Sequence, residues 1–257
     1  MLDLPTTTDA FLQGQVMLVQ PADGAHRSGS DAVFLAATLH SATGGVAGNV
    51  LDMGAGAGAV GLIAAQLNPQ AHVTLAERDG QMLWCCARSR ERNPSLADRV
   101  RIVEVDFLEP EPARISAGLT RASFDHVLSN PPYRKAGHVR TTEAKKAAHV
   151  VDDAQLHGWM RTAASVLKPG GTLTLIFAAD GLMDVLEAIK GRFGAARVLG
   201  LHPKDGAPAE RVLIQAIKGR KTQPSLLPGL VLHNADGSYT QDAKAILEGR
   251  KPITLAP

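Results

Sequence analysis

The chain has 257 residues, 45% hydrophobic and 20% charged, which suits one large domain with a real core and excludes a largely disordered chain. Its net charge of +2 is too weak to mark a nucleic-acid partner, so any such partner must show in a local cluster. The only cysteines, Cys85 and Cys86, are adjacent, which excludes a relaxed disulfide between them and a CxxC zinc site and fits a reducing cytoplasm.

The N-terminal "MLDLPTTTDAFLQGQ" has no positive region before an apolar run, so it is not a secretory signal. No stretch approaches the roughly 18 apolar residues of a membrane span, and a cytoplasmic location with no membrane partner is expected. A strand or hairpin is predicted around Val16 to Val19, then a helix from Asp31 to His40 that Ser28, Ser30 or Asp31 can cap.

An alternation follows. "NVLDMG", "HVTLAER", "RVRIVEVDF", "FDHVLSN" and "TLTLIF" read as strands. "AVGLIAAQLN", "GQMLWCCARSRERN", "DDAQLHGWMRTAASVL" and "LMDVLEAIKGRF" read as helices, the first two closed by Asn-Pro. The two cysteines are small apolar residues of the second helix. "KPGG" reads as a turn. "ARVLGLHP" and "RVLIQAIK" are two strands with no helix between them, hence a hairpin. This pattern predicts a mostly parallel sheet with helices on both faces, one edge strand being antiparallel. The tail, Gly219 to Pro257, reads as a docked appendage, with "LVLHNADGSYT" as a hairpin and "QDAKAILEG" as a short helix. The chain is thus a single domain, with an N-terminal segment 1–45, a core 46–218 and an appendage 219–257.

Such sheets bind ligands beyond the carboxyl ends of their strands. "LDMGAGAGAVGL" places Gly54, Gly56, Gly58 and Gly61 after the first core strand, where the backbone turns tightly and a helix N-terminus offers free N–H groups. Gly56, Gly58 and Gly61 also match the dinucleotide fingerprint. Asp52 weighs against that: its carboxylate would repel a pyrophosphate but suits S-adenosylmethionine, which carries an amino group and a sulfonium and no phosphate. Glu77 ends the second strand, where an acid accepts from ribose hydroxyls. Asp106 and Phe107 end the third, where a carboxylate and a ring suit adenine. Taken singly, Asp52 is also a helix-capping acid, Glu77 a surface acid and Asp106-Phe107 an ordinary strand end.

The fourth strand ends in "SNPPYRK". Pro131 and Pro132 lack N–H donors and stiffen the turn. The Asn130 side-chain oxygen and the Pro131 carbonyl are two acceptors suited to a planar NH₂ group, whose lone pair can then attack a methyl. Tyr133 offers a stacking face for a base. No general base is needed, because catalysis rests on positioning and on preorganised acceptors. Beyond it, residues 134–149 carry Arg134, Lys135, Arg140, Lys145 and Lys146 against one acid, Glu143. These cations suit the phosphates of an RNA loop whose target base is splayed out, although a solvated charged loop reads the same way.

In this order, "LDMGAGAG", "AERD", "VDF" and "SNPPY" resemble the Rossmann-like class I methyltransferases that use S-adenosylmethionine and methylate planar amino groups. That resemblance implies an α/β fold with a seven-stranded sheet in the order 3-2-1-4-5-7-6, strand 7 antiparallel. With "QPADGAHRSGSDAVFLAA", "AAHV" and "LVLHNADGSYTQDAKAIL" added, the chain most resembles the bacterial adenine-N6 methyltransferases that act beside the anticodon of valine tRNA. By that resemblance Asp52, Gly54 and Gly56 line the methionine part of the cofactor, Glu77 the ribose, and Asp106 and Phe107 the adenine. Arg27 and Asp31 close over the cofactor, or else serve in capping or surface pairing. Asn130 touches both cofactor and target, and Asn130, Pro131, Pro132 and Tyr133 hold the base. Arg134, Lys135, Arg140, Lys145 and Lys146 hold the RNA. The expected product is S-adenosylhomocysteine, with no metal. The rivals are a release-factor glutamine methyltransferase, disfavoured by the short N-terminal segment, a small-molecule O-methyltransferase, which commonly needs a base or metal, and a catalytically silent RNA- or cofactor-binding protein.

Overall fold

The structure is a computed structural model that describes residues 5–22, 27–39, 46–131 and 153–255. Two antiparallel strands, β1 (Thr6–Phe11) and β2 (Val16–Pro21), form a separate hairpin. The helix α1 (Ser30–Ala36) follows. It is shorter than expected, its N-cap is Gly29, and no side chain caps it. Ser28 instead donates its N–H to Gln20 Oε1, and Asp31 pairs with Arg211.

The core alternates β3 (Gly48–Met53), α2 (Ala59–Leu67), β4 (Ala71–Glu77), α3 (Gly80–Arg92), β5 (Val100–Glu104), α4 (Glu111–Ser116), β6 (Phe124–Ser129), α5 (Asp153–Val166), β7 (Leu167–Ala178), α6 (Leu182–Ile189), β8 (Phe193–Lys204) and β9 (Arg211–Lys218). β10 (Ser225–His233) and α7 (Gln241–Leu247) complete the chain. The sheet runs β5-β4-β3-β6-β7-β9-β8-β10, and β9 is antiparallel to both neighbours.

Eight strands therefore stand where seven were expected. β10 adds parallel to β8, outside the strand expected to form the edge. Pro228 and Gly229 interrupt its apolar pattern, and the register shifts between Leu227 and Leu230. An edge strand tolerates a proline, which has no N–H for a ladder. The expected tail hairpin is in fact this strand plus a tight turn, closed by a single bridge from His233 to Tyr239. The expected "KPGG" turn is also absorbed, since β7 runs through it with a register shift opposite Phe124 and His126.

Alternation along the strands sorts two cores. On one face Val50 packs with Leu62 and Ile63 of α2, Phe34 and Leu35 of α1, and Leu18 of the hairpin. On the other, Leu51 and Met53 pack with Leu156 and Met160 of α5 and Val185 of α6. The two Asn-Pro stops are more than helix breakers. Asn93 clasps the hairpin to α3, accepting the Met17 N–H at 3.0 Å and donating to Met17 O at 2.7 Å. Asn68 accepts the Val46 N–H at 2.9 Å and donates to Ala64 O at the end of α2. Such buried amides stay only where their hydrogen bonds are met. No helix among the described residues is long and apolar enough to cross a membrane.

Candidate functional site

The strand order reverses at β3, with β4 and β5 on one side and β6 and β7 on the other. A crevice forms at the carboxyl ends of strands where that happens. Asp52, Glu77 and Asn130 come to this edge from β3, β4 and the residue after β6.

Asp52 points to the α2 face of the sheet, opposite to Leu51, and is 1% exposed. Its Oδ2 accepts the Gly61 N–H at 2.8 Å. Burial raises its pKa to about 7, against the lowering effect of the Gly61 N–H, and the Glu77 carboxylate adds to the rise. Glu77 braces the loop above. Its Oε2 accepts the Gly56 N–H at 2.9 Å, and its Oε1 accepts from Arg78 and Asp79. Beneath the loop the Cys86 thiol donates to Gly56 O at 3.0 Å. Burial, with the carboxylates of Asp52 and Glu77 nearby, holds that thiol well above its ordinary pKa, so it stays a donor.

The loop glycines do different work. A Cβ on Gly61 would lie 2.1 Å from Leu75 Cδ2 and 3.1 Å from Asp52 Oδ2, so this glycine lets α2 press onto β4. A Cβ on Gly56 would meet nothing within 4 Å, and its φ is +55°. The open side of the loop is therefore at Gly56. Gly61→Ala is expected to cost about 1–3 kcal/mol through overpacking, read as a lower midpoint in thermal unfolding. An unchanged midpoint would mean that α2 slides freely on the sheet.

Several of the expected site residues have partners within the protein. β5 ends at Glu104, and the chain turns so that Phe107 is 3% exposed in the α5-side core, 4.9 Å from the Trp159 ring. Asp106 pairs with Arg78 at 2.9 Å and accepts the Leu108 N–H. Arg27 is committed to the hairpin, bonding Asp9 at 2.6 Å, Thr7 Oγ1 at 2.8 Å and Pro21 O at 2.9 Å. Its guanidinium has a local carboxylate and is not held over the loop.

Asn130 Oδ1 is buried with no hydrogen-bond partner, and is the one such side-chain atom among the described residues. Its neighbour Ser129 is fully buried. Ser129 Oγ donates to Met53 O at 2.7 Å and accepts from Trp159 Nε1 at 3.1 Å. Neither Ser129 nor Trp159 was expected here. The one sequence signal was a hydroxyl closing an otherwise apolar run. Pro131 is buried. Pro132, Tyr133, Arg134, Lys135, Arg140, Lys145 and Lys146 lie outside the described residues.

A concavity of about 600 Å³ lies elsewhere, walled by Asn49, His72, Arg99, Arg101 and Ser123. These residues start strands or precede them, so it opens at the amino-terminal edge, away from Asp52 and Asn130. Its arginines are spent on main-chain and hydroxyl oxygens, such as Ala65 O and Ala71 O for Arg99. Among the described residues no group of three or more His, Cys, Asp or Glu is placed to hold a metal.

Residues 28–204 match the methyltransferase small domain family. A tRNA1(Val) (adenine(37)-N6)-methyltransferase of Porphyromonas gingivalis is 28% identical, over 95% of both chains. A solved structure of a predicted O-methyltransferase from Agrobacterium tumefaciens is 30% identical, with TM-score 0.75, covering 87% of this chain and 98% of that one. A 16S rRNA N2 G1207 methyltransferase of T. Thermophilus, solved with AdoMet and guanosine, shares the fold at TM-score 0.56 and 22% identity, over 84% of this chain and 51% of that one. The glycine loop with an acid beneath it and an acid bracing it fits the amino acid and ribose of that cofactor, while a dinucleotide's pyrophosphate would meet Asp52 and Glu77. The chain belongs to the methyltransferase small domain family and is an S-adenosylmethionine-dependent methyltransferase.

Proposed function

We propose that the chain methylates the exocyclic amino group of an adenine in RNA, with tRNA as the favoured substrate and N6-methyladenosine as the product. The observation that carries this reading is the buried, unpartnered Asn130 Oδ1. An orphaned buried acceptor costs about 1–3 kcal/mol, so a fold keeps one where a ligand brings the donor. The matching donor is an N–H of a planar amine. The P. gingivalis relative, named for adenine-N6 methylation of a tRNA and matched over 95% of both chains, supports this amine.

Bound S-adenosylmethionine supplies an electrophilic methyl on a sulfonium. Asp52 gives the glycine loop a negative floor that suits the cofactor's positive charges. Glu77, held by loop N–H groups, faces the ribose, and the open side at Gly56 admits the methionine chain. Asn130 Oδ1 and the Pro131 carbonyl accept the two amine hydrogens and aim the nitrogen lone pair at the methyl. The bound cofactor would supply its methyl to the nitrogen so held, and the amine's proton would leave to water. Tyr133 stacks on the base, and the five cations from Arg134 to Lys146 hold phosphates.

The test is transfer of labelled methyl from S-adenosylmethionine to bulk tRNA, protein and DNA from a deletion strain, followed by nucleoside mass spectrometry. Label in tRNA as N6-methyladenosine is the expected result. Label in protein glutamine, or on oxygen in place of an adenine amine, as the name of the Agrobacterium relative would have it, would overturn it.

A further inference from the structure

The ladder between β3 and β6 ends at the pair Asp52–Leu128. Beyond it the two strands part to open the crevice. Just past that point the Ser129 hydroxyl donates to Met53 O at 2.7 Å, so a side chain takes over where backbone pairing stops. Trp159 Nε1 donates to the same hydroxyl at 3.1 Å. The indole also reaches the other wall. A Cβ on Gly54, whose φ is +80°, would lie 2.8 Å from Trp159 Cζ2. Phe107 backs the indole from behind at 4.9 Å. Trp159 thus touches the turn after β3 with its ring and the strand end before Asn130 with its N–H.

We propose that Trp159 is a positioning residue for methyl transfer, acting through Ser129 to fix the distance between the glycine loop and Asn130. This rests on the reading that Asn130 receives the target amine. The hydrogen bond from the indole directs the Ser129 hydroxyl to Met53, because an oxygen that accepts from Trp159 is left with its own hydrogen to give. The two bonds form one unit in a dry site, where polar groups reinforce each other. Misplacement of a reacting group by about 1 Å can cost on the order of 100-fold in rate, so a small slackening of the strand ends is enough to matter.

The test is a double-mutant cycle on the full chain with Trp159→Phe and Ser129→Ala. Trp159→Phe removes the donor together with the distal ring whose Cζ2 lies beside Gly54, while Ser129→Ala removes the acceptor alone. Each variant is expected to lower kcat about tenfold with cofactor Kd within about threefold, kcat being read well below a thermal midpoint that falls because buried partners are orphaned or ring volume is lost. The double variant is expected to lose about tenfold as well, because residues acting as a unit are not additive. An unchanged kcat in Trp159→Phe, losses that multiply in the double variant, or a cofactor Kd that rises in step with the fall in kcat would each overturn the proposal. The cycle is read on whichever macromolecule takes label from the wild-type enzyme. Label on protein instead of tRNA defeats the adenine reading and still leaves Trp159 to be decided by the cycle.

Discussion

Asn130→Ala should abolish most methyl transfer while leaving the fold intact or slightly firmer. Asn130 Oδ1 has no partner and is buried, so the folded chain carries its desolvation without compensation. Truncation removes that cost, and the thermal midpoint is expected to stay level or rise. Ser129, the adjacent anchor, is fully buried and held by its own bonds to Met53 and Trp159, so the strand end should keep its path. Turnover responds in the opposite direction. The proposed reaction develops positive charge on an amine, and a preorganised acceptor aimed at such charge is worth about 10²–10³ in kcat. Cofactor affinity by calorimetry should move less than about threefold. Asn130→Asp keeps an acceptor at that place and should lose less. A stable variant that turns over like wild type would remove Asn130 from the reaction.

How far the site was legible follows from the range of the interactions involved. The β–α alternation is written in local hydrophobic period and in the two Asn-Pro stops, so the strands bearing Asp52, Glu77 and Asn130 could be placed from sequence. The acid before the glycine loop already argued for a cationic ligand. What sequence did not show was whatever depended on tertiary geometry. Phe107 ends a run with strand character, yet β5 stops at Glu104 and the turn sends the ring into the α5-side core. Arg27 bonds Asp9 of β1, eighteen residues earlier, a pairing that local sequence does not display. β10 was hidden because Pro228 and Gly229 break its pattern, which only an edge position excuses. Trp159 lies in a stretch that reads simply as a helix. Nothing near it in sequence says that its N–H meets a serine thirty residues away.

Asp52→Asn should separate two quantities that usually fall together. Asparagine keeps an oxygen to accept the Gly61 N–H, so the helix start survives. The folded wild type holds its Asp52 proton up to about pH 7, whereas the unfolded chain releases it near the ordinary 3.8. Between those values the unfolded state binds fewer protons, so wild-type stability falls as pH rises through the window and levels off above about 7. The rise from 3.8 to about 7 corresponds to roughly 4 kcal/mol at alkaline pH. Asparagine does not ionise and escapes that loss. The variant should match the wild type near pH 4 and unfold at a higher temperature at pH 8. Cofactor binding moves the other way. A sulfonium and an ammonium arriving at the loop favour ionised Asp52, so wild-type affinity should strengthen as pH passes about 7, with proton release on binding below it. Without the carboxylate, affinity at pH 8 should drop about 10- to 100-fold, equivalent to about 1.4–2.7 kcal/mol. Calorimetry in buffers of different ionisation enthalpy reads both the affinity and the proton. Equal affinity in the two proteins at pH 8 would take the positive charges of the cofactor away from Asp52, and equal stability there would mean that the buried carboxylate is solvated in a manner its 1% exposure does not suggest.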